Sequence, residues 1–204
     1  MKNFTKVISK TLLTAVLAIT SHASLATILT VEVADQAYQV GDLVTADIVI
    51  SDIEQLAGSP VEVASFSLDF LFDSTEVTNA QVTFGNLLDL GVFGSSQSDV
   101  NNGDSLAIDE VSLESPFDLF FEQNLVSSFV LASVQFELTS AGTVDFSLAN
   151  VSLTDGFGTS GVFAPASLDL RGASFAVSSA QVPVPASAAL MLLPLLFLVR
   201  KRDS

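Results

Sequence analysis

The chain is 204 residues long, has no cysteine and one histidine, and carries a formal net charge of −16. Without cysteine there is no disulfide, thiolate metal site, cysteine nucleophile or lipidated N-terminal cysteine. Residues 27–181 hold 22 of the 23 acidic residues but only Arg171 of the 7 basic ones, a net charge near −21. A field of that sign repels DNA, RNA and anionic lipid, which sets nucleic-acid binding aside. It keeps an apolar chain in solution, and it attracts cations, Ca²⁺ among them.

Lys2, Lys6 and Lys10 precede a short apolar run, Thr11 to Ile19. Small residues at the −3 and −1 positions follow twice, in Ser21-His22-Ala23 and Ser24-Leu25-Ala26. This is the pattern of a secretory signal peptide over residues 1–26, cut by signal peptidase after Ala23 or after Ala26. The exported body then has no histidine, cysteine or lysine. Ser-His-Asp, Cys-His and lysine-based nucleophilic schemes are absent from it, as is a histidine cluster for zinc.

Residues 27–178 have the size of one domain with its own core. Apolar and polar residues alternate with period two in successive segments. Val31 and Val33 begin the series, followed by Val44, Ala46, Ile48 and Ile50, then Ala64, Phe66, Leu68, Phe70 and Phe72. Val130, Ala132, Val134, Phe136 and Leu138 continue it, then Val144, Phe146 and Leu148, and last Phe175 and Val177. Turn residues separate these runs at 39–42, 58–60, 73–75, 101–104, 141–142 and 155–161. Such alternation predicts half-buried antiparallel strands, and many short strands with turn signals predict a two-sheet sandwich. The 16 phenylalanines, with no tryptophan and one tyrosine, fall mostly on the inward positions and read as core.

Two stretches of the body carry the residue types of a binding site. Asp99, Asn101, Asp104 and Glu110 approximate the ligand spacing of a Ca²⁺ loop, but Gly103 and Asp104 are interchanged relative to an EF-hand. The flanking Ser105 to Val111 alternates like a strand, so a plain hairpin turn is the favoured reading. The second stretch, Ser115 to Glu122, places Phe117, Phe120 and Phe121 within five residues. It is read first as a short helical cap on one end of the sandwich and second as a sticky patch. The carboxylates of the body also leave open a glycan hydrolase, which needs two of them flanking a cleft.

The C-terminus is a second address. Val182-Pro183-Val184-Pro185-Ala186 leads into an apolar run to Val199, closed by Arg200-Lys201-Arg202. Fourteen residues of helix span roughly 21 Å, short of a hydrocarbon core of about 30 Å. Pro-x-Pro, a short apolar helix and a terminal basic cluster resemble the PEP-CTERM sorting signal of Gram-negative bacteria, in its Val-Pro-x-Pro-Ala form. Val184 stands where the named motif has Glu, and Pro194 interrupts the apolar run. The resemblance implies an exosortase-like processing enzyme and delivery to the cell envelope or extracellular surface, with residues 179–204 as linker and sorting tail. An ordinary C-terminal membrane anchor is the alternative. The terminal basic cluster stays inside, as the positive-inside rule expects.

The body has a family likeness of its own. Val40-Gly41-Asp42-Leu43-Val44, Phe66 to Val77 with its Asp73-started turn, Leu131 to Leu138, Gly142 to Leu148 and Val151 to Asp155 resemble, in order and spacing, cohesin-type domains. That resemblance implies an antiparallel jelly-roll β-sandwich akin to carbohydrate-binding modules. It also implies a non-catalytic role, binding a dockerin-like protein or extracellular polysaccharide, with no required cofactor.

Overall fold

The computed structural model describes residues 26–53, 61–157, 163–164 and 167–180. The expected signal peptide up to residue 25 lies outside these residues. So does the expected sorting motif, Val182, Pro183, Val184, Pro185, Ala186, Arg200, Lys201 and Arg202. Among the described residues no helix is long and apolar enough to cross a membrane.

The described residues form β1 (Thr27–Val33), β2 (Tyr38–Gln39), β3 (Leu43–Ser51), β4 (Ser65–Leu71), β5 (Val77–Phe84), β6 (Ser95–Asn101) and β7 (Ser105–Ser112). A short helix, α1 (Pro116–Gln123), precedes β8 (Ser128–Leu138), β9 (Gly142–Thr154), β10 (Leu168–Arg171) and β11 (Ala173–Ser178). One sheet has the order β10-β1-β3-β8-β5 and the other β2-β11-β9-β4-β7-β6. Successive strands fall in opposite sheets, except for the β6–β7 hairpin. That alternation makes the expected jelly-roll sandwich. Pairing is antiparallel apart from β1 with β10 and β2 with β11.

The period-two pattern sorts the side chains as the sequence predicts. Val44, Ala46, Ile48 and Ile50 of β3 are buried, and so are Phe66, Leu68 and Phe70 of β4. Phenylalanine joins the layers. The Phe136 ring from one sheet lies 5.7 Å from Phe70 and 5.2 Å from Phe146 of the other, both near-parallel contacts. Phe72 and Phe175 extend the cluster, and Tyr38 closes it against Phe175. Ring pairs at these separations add about 0.5–1.5 kcal/mol each beyond the area they bury.

One expected face is wrong in part. A bulge shifts the β3–β8 register between Ile48 and Val49, so that Ile48 faces Ala132 and Val49 faces Val130. The extra residue turns Phe129 and Leu131 inward and leaves Val130 only half-buried. A single inserted residue reverses the face of everything beyond it, and period two alone does not reveal the insertion. The Asp73 turn forms as expected, with Asp73 Oδ1 accepting from the Thr75 hydroxyl at 2.6 Å and its N–H at 2.8 Å.

The chain crosses from β10 to β11, and hence from one sheet to the other, through Gly172. A Cβ there would sit 2.3 Å from the Phe146 carbonyl oxygen, which is main chain and cannot swing aside. Gly172→Ala is therefore expected to destabilise the domain by about 1–3 kcal/mol, the usual range for overpacking. Chemical denaturation of the two proteins measures it, and coincident midpoints would refute the close approach.

Candidate binding surface at the helix end of the sandwich

The strand registers gather four connections at one end of the sandwich. Phe84 at the end of β5 faces Ala132 near the start of β8, and Ser95 at the start of β6 faces Ser112 at the end of β7. Ser65 at the start of β4 faces Val111 and Thr154. Segments 61–64, 85–94, 113–127 and 155–157 therefore meet here. Three buried side chains tie them together.

Gln123, 4% exposed, is the first. Its Oε1 accepts from the Val63 N–H at 2.8 Å, and its Nε2 donates to the carbonyls of Val63 at 2.9 Å and Leu87 at 3.1 Å. The amide thus pairs with main chain as a strand would, fastening α1 to two loops. Pro116 at the first helical turn limits φ where no helical N–H bond is needed. Leu119 and Gln123, four apart, face inward, which leaves Phe117 and Phe121 on the outer face at 60% and 63% exposure. Phe120 is half-buried, and its ring lies 5.8 Å from that of Phe121. The Phe117 ring meets Phe157 edge-on at 4.9 Å. The segment is thus both a cap and an exposed apolar strip.

Glu114, 8% exposed, is the second. Its Oε1 accepts from the main-chain N–H groups of Val92, Phe93 and Gly94 at 2.9, 2.9 and 3.1 Å. Burial pushes its carboxyl up, but N–H donations from Phe93, Gly94, Val92 and Leu90 outweigh that, and the net shift is downward. An anion held by several N–H groups fixes the loop around it. Val92 and Phe93 are accordingly displayed at 74% and 67% exposure from a clamped loop.

Glu62 is the third and has no exposure. Its Oε1 accepts from the Gly156 N–H at 2.7 Å. Burial first, then the charge of Asp155 and a hydrogen bond shared with it, push the carboxyl up to about 7, against the pull of the Gly156 and Phe157 N–H groups. Asp155 also accepts from the Phe157 N–H at 2.9 Å. The pair latches segment 61–64 to the turn that carries Phe157.

The four residues weighed as a Ca²⁺ loop, with a plain hairpin turn favoured, lie along the β6–β7 hairpin. Asp99 and Asn101 lie on β6, where Asp99 faces Ile108 and Asn101 faces Leu106. Asn101 Oδ1 accepts from the Gly103 N–H at 2.9 Å, closing a hairpin turn, and Asp104 Oδ1 accepts from the Ser74 N–H. Glu110 points inward from β7, fully buried, and accepts from Ser95 Oγ at 2.6 Å and Gln97 Nε2 at 2.9 Å. Burial raises its carboxyl; these two donors lower it, the charge of Asp89 raises it again, and the net shift is upward. The described residues contain no group of three or more acidic or histidine side chains set to hold a metal ion.

Glu62, Glu114, Gln123 and Asp155 were not singled out from the sequence. Gln123 had a local signal, four residues after Leu119 on the inward face of α1. Glu62 stood between Val61 and Val63, where a charge invites a partner. The partners themselves come from distant loops.

No family model matches the chain, and no curated protein matches it. Solved structures do. The cohesin module of a family 33 glycoside hydrolase from Clostridium perfringens superposes with a TM-score of 0.55 at 16% identity, covering 76% of this chain and 99% of that one. The fold is cohesin-like. The second type II cohesin module of the adaptor ScaA scaffoldin from Acetivibrio cellulolyticus gives 0.51 at 16% identity, over 66% of this chain and 82% of its own. The third cohesin of ScaC, solved in complex with the ScaB dockerin from the same organism, gives 0.51 at 14% identity, over 74% and 99%.

The Glu62 carboxyl makes stability depend on pH with a definite sign. Its folded value of about 7 lies above the ordinary 4.5, so the folded protein holds a proton that the unfolded chain releases. The stabilisation is fully present below pH 4.5 and is lost as pH rises through 7. A shift of this size corresponds to about 3 kcal/mol. Acidic self-repulsion acts in the same direction, so the comparison is made against Glu62→Gln. The gap between variant and wild type should move in favour of the variant by about that amount from pH 4.5 to pH 8. Parallel stability curves would sink the assignment.

Proposed function

We propose that the chain is an exported, non-catalytic envelope or extracellular-matrix module that works by binding another macromolecule, protein ahead of polysaccharide. The observation that carries this reading is the helix end of the sandwich. Its buried Gln123, Glu114 and Glu62 fasten loops and a helix, and its apolar side chains Val92, Phe93, Phe117 and Phe121 are held outward. A surface that keeps large apolar groups in water through rigid polar clamps is one that another molecule covers. The cohesin-like fold supports the same class, since one of the similar structures is a complex with a dockerin. Polysaccharide ranks second because tryptophan is absent and the one tyrosine, Tyr38, is buried.

The glycan hydrolase alternative loses ground at its best candidate. Glu62 has the raised carboxyl of a catalytic acid beside the charge of Asp155, but it is sealed from solvent and bonded to Gly156. A catalytic acid must reach the bond it protonates. On this reading the signal peptide exports the body, and the Val182–Ala186 and Arg200–Arg202 elements deliver it through an exosortase-type system. Permanent anchoring by the same tail is the competing fate.

Two measurements test the two halves. Intact mass of the exported protein should lack both residues 1–26 (or 1–23) and everything beyond the Pro183–Pro185 region; a mass retaining Arg200 to Ser204 would make the tail an anchor. Incubation with the producing bacterium's own polysaccharide should release no reducing sugar, and clear turnover would overturn the non-catalytic reading.

A further inference from the structure

Between α1 and the 85–92 loop runs a groove of about 530 Å³, lined by Asn86, Leu87, Asp89, Leu90, Val92, Asp118, Phe121 and Glu122. Leu87, Leu90, Val92 and Phe121 supply its apolar surface, and Asp89, Asp118 and Glu122 supply three carboxylates. Both walls are fixed from behind. Gln123 bonds α1 to the Leu87 carbonyl, and Glu114 clamps the loop at Val92 to Gly94. A groove with fixed walls loses little freedom when it is filled.

We propose that this groove docks a basic amphipathic segment of a partner protein, its apolar side chains against Leu87, Leu90 and Phe121 and its lysines or arginines against Asp89, Asp118 and Glu122. The proposal rests on the binding-module reading and names the chemistry of its partner. Charge decides among the occupants. The body supplies one basic residue of its own, Arg171, which is paired with Asp169 on β10, at the opposite edge of the five-stranded sheet from β5. The three carboxylates at the groove, Asp89 already accepting from the Gly91 N–H at 2.9 Å, have no counter-ion from the body. A second copy of a body with a net charge near −21 would bring like charge to the contact. An anionic membrane would do the same. A basic peptide with apolar residues meets both halves of the lining, and complementary charge also speeds its encounter.

The test uses the full chain and two synthetic peptides of equal length and equal lysine content, one with leucines at helical spacing and one with serines in their place. Fluorescence anisotropy should show the leucine peptide binding about tenfold tighter than the serine peptide. That preference should vanish in Phe121→Ser. Affinity for the leucine peptide should fall in Asp118→Asn/Glu122→Gln and hold in Glu32→Gln/Asp145→Asn, which removes the same charge from exposed sites outside the groove. Circular dichroism confirms that each variant is folded; should Phe121→Ser not fold, the Asp118/Glu122 pair carries the comparison. Equal affinity for the two peptides would reduce the effect to net charge and overturn the proposal. So would a self-association in sedimentation that Phe121→Ser abolishes, which would give the groove to a second copy. An envelope partner captured equally by wild type and Phe121→Ser, with no peptide preference, would refute the groove while leaving the binding-module reading standing.

Discussion

The body of this protein must fold with 22 carboxylates and a single guanidinium. Ion pairing, the ordinary way to bring a carboxylate inside, is closed to it: the one cation is held by Asp169 at the surface. Buried acids have to be met by main-chain N–H groups, by hydroxyls and amides, or by a proton. Glu114 takes the first course, Glu110 the second and Glu62 the third. Each solution binds a carboxylate to a loop or a neighbouring strand. The chain's acidity is thereby turned into the scaffolding of one end of the sandwich.

The jelly-roll topology brings these solutions together. Because nearly every connection crosses between sheets, loops far apart in sequence converge at the same end. Glu62 and Gly156 are 94 residues apart, and Gln123 reaches Val63 across 60. The phenylalanine cluster holds the two layers at their spacing, and the polar clamps then close the end over it. Leu119 and Gln123 seat α1, so its outer residues point away from the core. The exposed strip and the groove beside it are consequences of that closure.

The same arrangement separates perturbed chemistry from accessible surface. Glu62 has a carboxyl whose proton is shifted toward neutrality, a property associated with acid–base catalysis. Its complete burial makes that shift a matter of stability. The accessible carboxylates, Asp118 and Glu122, lie beside apolar side chains on a helix, an arrangement suited to recognition.

Much of the body was legible in the sequence. Alternation in β3 and β4 placed Val44, Ile48, Phe66 and Phe70 in the core, because a strand's period of two converts directly into two faces. The sandwich class, the Asp73 turn and the hairpin turn at Asn101 to Asp104 followed from local chemistry. The Ser115 to Glu122 segment was legible as a short helical cap, but Leu119 as its inward anchor was not. Local pattern could not show the bulge that turns Val130 aside, for it depends on the partner strand. Nor could it show that Glu114 would clamp Val92 to Gly94, or that Glu62 would be buried beside Asp155 and bonded to the Gly156 N–H. Those pairings depend on which loops the crossings of the jelly roll carry to one end, and that is decided only when the two sheets pack.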